Sequence, residues 1–119
     1  MNELFNSDFI VNSGYHGFMD EAFDFVEKHQ LLDEKLWARF VQQFCEKSDS
    51  DDAGWRGEFW GKMMRGASLV YGYTKNEKLL ATLKQTVKDM IKTADELGRI
   101  STFTPEREFD GWDMWGRKY

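Results

Sequence analysis

Residues 76–97 read NEKLLATLKQTVKDMIKTADEL. At the α-helical step of about 100° per residue, Leu79, Leu80, Leu83, Val87, Met90, Ile91, Ala94 and Leu97 share an arc of roughly 120°. Lys78, Lys84, Lys88 and Lys92 fall outside that arc, so the spacing predicts an amphipathic helix with one buried face. Gly98 follows directly and is placed to close the helix in the left-handed conformation that glycine adopts without steric cost.

Working upstream, EFWGKMMRGASLVYGY (58–73) puts Phe59, Met63, Ala67 and Val70 on one helical face and Trp60, Met64 and Tyr71 on the adjoining one. A helix apolar on both faces is expected to be buried over much of its circumference. Gly57, Gly61, Gly66 and Gly72 cost about 1 kcal/mol each inside a helix, which predicts close approach by another backbone. With a link around residues 74–76, the two helices form an antiparallel hairpin.

Two more helices are legible before the hairpin. Leu32, Leu36, Phe40 and Phe44 recur every fourth residue, widened by Trp37 and Val41, and Asp33 and Glu34 sit where a helix begins, predicting helix from Asp33 to Glu46. In GYHGFMDEAFDFVEKHQ (14–30), Met19, Phe23 and Val26 with Ala22 and Phe25 repeat the pattern, and Lys28 and His29 fall at that helix's C-terminal end. KSDSDDAGWRG (47–57) is polar and reads as a loop. The aspartates within it lack the central glycine and terminal glutamate of a calcium loop. After Gly98 the pattern lapses: Pro105 is read as stopping any helix, leaving an extended segment before a further helix near Asp113.

The chain of 119 residues suffices for one helical domain (1–119) without disulfide or metal staples. Its hydrophobic content of 41% and aromatic content of 16% exclude a low-complexity chain. The formal charge of −5, with scattered basic residues, argues against a nucleic-acid partner. Cys45, alone in the chain, excludes an internal disulfide; with only His16 and His29 beside it there is no zinc motif. Cys45 is expected as a small buried hydrophobe at a helix end. No signal-peptide core and no membrane-length apolar run is present, so a cytoplasmic chain without a membrane partner is expected.

Two stretches, WRGEFWGKMMRGASLVYGYTKNEKLL (55–80) and DELGRISTFTPEREFDGWDMWGRKY (95–119), resemble the first part of the barrel in bacterial β-L-arabinofuranosidase-like glycoside hydrolases, family 127 and relatives. The resemblance covers residues 55–119 and implies an all-α fold of antiparallel helical hairpins, part of an (α/α)6 toroid. Twelve helices need several times this length, so it implies the N-terminal portion of such a hydrolase, inactive alone, with the remainder of the barrel or a second copy as partner. Family members hold a zinc with cysteines and a glutamate; with one cysteine here, no metal or cofactor site transfers to this chain, and zinc belongs to a full-length relative.

On this resemblance, the candidate carbohydrate-binding residues are Glu58, Trp60, Lys62, Trp112, Asp113, Trp115 and Arg117, and the catalytic residues are unassigned. Indole rings stack on the C–H faces of sugars and their N–H can bond a hydroxyl. Glycosidases need two carboxylates, for which Glu58, Asp110 and Asp113 lie closest to the tryptophans. Arg56, Lys62, Arg65, Arg117 and Lys118 can bond hydroxyls or carboxylates. Each also has a plainer reading: tryptophan as core, Glu58 as a charge at a helix N-terminus, Asp110 and Asp113 as caps, and the basic residues as solvated or locally paired. The competing class is a helical protein-interaction or self-association module whose incompletely covered flank is a partner surface.

Overall fold

Among the described residues, every regular element in the computed structural model is helical. The structure describes residues 16–47 and 56–110. Helix α1 is Phe18–Val26 and runs into a π-type turn over Glu27–Leu31, closed by the Leu32 N–H donating to the Glu27 carbonyl at 3.0 Å. Helices α2 (Glu34–Glu46), α3 (Arg56–Thr74), α4 (Glu77–Ile91) and α5 (Pro105–Asp110) follow.

The starts of α2 and α4 follow from their caps. Asp33 accepts from the N–H groups of Lys35 and Leu36 at 2.9 and 3.1 Å, and Asn76 accepts from that of Lys78 at 3.0 Å. Only Lys75 and Asn76 separate α3 from α4, so the two helices must fold back on each other, and the expected hairpin is present. Leu31, Trp37, Ala67, Val70, Leu79 and Leu83 form one buried cluster, and Val41, Phe44 and Met90 a second, with Trp60 packed against both. These pairings run α2 antiparallel to α3 and parallel to α4.

Several expectations are corrected. The last helix of the hairpin ends at Ile91, six residues short of Leu97, because the Thr93 N–H and hydroxyl both turn back to the Met90 carbonyl, at 3.0 and 2.8 Å. Asp95 then organises a separate turn, accepting from the N–H groups of Leu97 and Arg99 at 3.0 and 2.9 Å. Gly98 does take a left-handed backbone (φ 78°), but it closes this turn and not the helix. Ala94 and Leu97 are exposed as a result.

Pro105 begins a helix instead of stopping one: at the first helical position its missing N–H costs nothing. Cys45, expected inside, is exposed. A Cβ on Gly61 or Gly66 would meet nothing within 4 Å, so close backbone approach does not account for either. At Gly57 the neighbours are side chains, the Phe44 ring at 3.4 Å and the Thr102 methyl at 3.6 Å. The helix expected near Asp113 and most of the 47–57 loop lie outside the described residues.

Candidate functional site

Three sets of buried or half-buried polar contacts position the helices. The Trp37 indole N–H donates to the Leu31 carbonyl at 2.8 Å, satisfying the end of the π-type turn. Glu27, only 5% exposed, accepts from the Thr74 hydroxyl at 2.6 Å and from the Asn76 side-chain amide, tying the turn to the α3–α4 link. The Trp60 indole N–H donates to the Thr86 hydroxyl at 3.0 Å and locks α3 to α4.

With α3 packed on one side of the α2–α4 pair, the other side carries a groove of about 850 Å³ among the described residues. Its floor is the buried Trp37, Val41, Thr82 and Thr86, and its walls are the exposed Ala38 and Ala81. The methyl groups of Thr82 and Thr86 leave the floor largely apolar, because both hydroxyls are engaged elsewhere: Thr82 donates to the Lys78 carbonyl at 3.1 Å and Thr86 accepts from Trp60. From Lys78 to Asp89 along α4 the groove runs about 16 Å, three turns of helix.

The rim is polar and largely balanced. Asp89 accepts from Lys92 and Gln85 at 2.8 and 2.9 Å, and these bonds, with the nearby charges of Lys92 and Lys88, hold its carboxyl below the usual value of 3.8. Glu34 at the opposite end of the groove stands in the first turn of α2, where negative charge is favoured. Residues 34–46 and 77–92 together carry six cations and four carboxylates, a positive surplus in a chain of formal charge −5.

Of the residues read from the resemblance, Trp112, Asp113, Trp115 and Arg117 lie outside the described residues, as do the side chains of Arg56 and Asp110. Glu58 sits in the first turn of α3 and is bonded to Lys62 at 2.6 Å. Trp60 is half-buried between the two clusters. Arg65 is exposed on α3. None of Glu58, Trp60 and Lys62 lines the groove.

No protein-family model, curated protein or solved structure matches the chain.

Among the described residues no three His, Cys, Asp or Glu side chains gather to hold a metal, and no helix is long and apolar enough to cross a membrane. Sequence reasoning missed the groove because Thr82 and Thr86 count as polar in a hydropathy pattern. The spacing of Ala38, Val41, Ala81 and Gln85 at three- and four-residue steps is the signal that could have found it.

Proposed function

We propose that the chain is a helical protein-interaction module whose α2–α4 groove receives an amphipathic helix. The observation that carries this reading is the three-turn groove itself, with buried apolar groups beneath and small alanine walls that admit a backbone closely. An occupant running antiparallel to α2 and α4 places its negative C-terminal end beside the two positive N-termini.

The test is a titration of the ¹⁵N-labelled chain with two synthetic helices of the same composition, one with its apolar residues in a single stripe and one with that stripe scrambled. Amide shifts confined to α2 and α4 are expected with the striped peptide, and their loss in the Ala38→Arg/Ala81→Arg variant. Equal binding by both peptides, or shifts outside the groove that survive the variant, would overturn the reading.

The carbohydrate wall implied by the glycosidase resemblance is the weaker reading. It rests on the likeness of residues 55–119. In the described half of that wall, Glu58 and Lys62 are bonded to each other and the Trp60 N–H is bonded to Thr86.

A further inference from the structure

The stretch before α5 is buried without being helical. Ser101, Thr102 and Phe103 are 2%, 1% and 3% exposed, and the Lys47 ammonium donates to the Thr93 and Ser101 carbonyls at 3.4 and 3.3 Å, fixing this stretch against the ends of α2 and α4. Past Phe103 the burial stops: Thr104 to Phe109 are half-buried or exposed. A helix of six residues has too few internal hydrogen bonds to persist alone, so α5 depends on what holds it.

Arg99 is placed to hold it. One edge of the guanidinium, Nε and Nη2, faces the Asp95 carboxylate at 2.8 and 2.7 Å, within the turn that Asp95 organises. Its remaining nitrogen, Nη1, donates to Glu108 of α5, and the Phe109 ring centroid lies 5.4 Å from the guanidinium carbon. The Arg99 side chain is 14% exposed, so both ion pairs lie largely out of the reach of screening salt.

We infer that α5 is a flap that opens after Phe103 while α1–α4 stay folded, with the Arg99–Glu108 pair as its latch. The division follows from burial. Opening at Thr104 breaks the Glu108 pair and the Phe109 contact, but leaves in place the buried Phe103, the two bonds of Lys47 and the Asp95 turn. Openings of this kind begin in the segments with the least buried surface. Because Asp95 grips two nitrogens of Arg99 from the turn, the guanidinium stays aimed at the position of Glu108 when the flap is open, and reclosing needs only the return of α5.

Hydrogen exchange of the ¹⁵N-labelled full chain tests this at the Glu108 amide, which donates to the Thr104 carbonyl at 3.0 Å and is protected only while α5 is formed. In the wild type this amide is expected to exchange faster than those in the middle of α2–α4, at a rate nearly independent of low urea, as a small opening requires. Arg99→Met and Glu108→Ala each remove one side of the latch and should lower protection at position 108 by about tenfold or more, the worth of a charge-assisted bond. An amide there with the protection and urea dependence of α2–α4 would show that α5 opens only with the whole fold, and would overturn the flap. An unprotected wild-type amide would overturn it as well, since α5 would then not be latched. Protection unchanged by the variants would overturn the latch; if Arg99→Met does not fold, Glu108→Ala decides alone.

Discussion

The indole N–H of Trp60 donates to the hydroxyl of Thr86 at 3.0 Å, across the hairpin and in contact with both buried clusters. One bond thus holds α3 against α4 and commits two groups that a hydropathy reading leaves unassigned. Thr86→Val keeps the volume and the branched Cβ but strands the N–H. The variant is expected to lose about 1–3 kcal/mol, the cost of a buried unsatisfied donor. Urea denaturation followed by circular dichroism checks it, and an unchanged slope attributes the shifted midpoint to stability.

Glu27 joins the π-type turn to both ends of the α3–α4 link through Thr74 and Asn76. Glu27→Leu removes the acceptor from two donors, and a loss of about 3 kcal/mol is expected, with Glu27→Gln milder because its amide oxygen still accepts. Thermal unfolding of the pair ranks them; equal melting temperatures for wild type and Glu27→Leu would contradict the role.

Asp95 is held below its ordinary carboxyl value of 3.8, first by the Arg99 backbone N–H, then by the Arg99 guanidinium and the Leu97 N–H, against an opposing desolvation. A carboxyl depressed in the folded state contributes stability that is complete above 3.8 and is lost as pH falls through the lower folded value. Asp95→Asn should therefore be less stable than wild type at neutral pH and approach it in acid. Urea midpoints of both proteins at a series of pH values measure this, and parallel curves would refute it.

Lys75 links α3 to α4 with a left-handed backbone, φ 52°. A non-glycine residue there costs about 1–2 kcal/mol, while glycine adds about 0.5–1 kcal/mol of unfolded-state entropy. The relief exceeds the penalty, so Lys75→Gly is expected to gain about 0.5 kcal/mol, a small net of these opposing effects. A higher melting temperature by calorimetry checks the sign, and a lower one would show that the Lys75 ammonium over the Tyr71 ring, 5.8 Å from its centroid, contributes more than the backbone strain costs.

The helical class, the hairpin and the start of α2 were legible because they depend on local chemistry: apolar residues at helical spacing, Asp33 as a cap, and a link too short to do anything but reverse. The end of α4 was not legible. The alternation of apolar residues continues to Leu97, whereas the Thr93 hydroxyl and the Asp95 turn stop the helix at Ile91 through hydrogen bonds that periodicity does not weigh. Val87 and Ile91 fell in the expected apolar arc yet are exposed, while Thr82 and Thr86 are buried. The buried face of α4 is thus turned toward residues whose hydroxyls find partners inside.

By itself, then, the order of residues determined that this chain is helical and where most of its helices begin, since backbone caps and stripes act within a few residues. Only the tertiary structure decided that α2 and α4 lie parallel with a groove between them among the described residues. That groove arises because α3 covers one side of the pair, and side chains more than thirty positions apart, such as Val41 and Thr82, meet only when the helices pack.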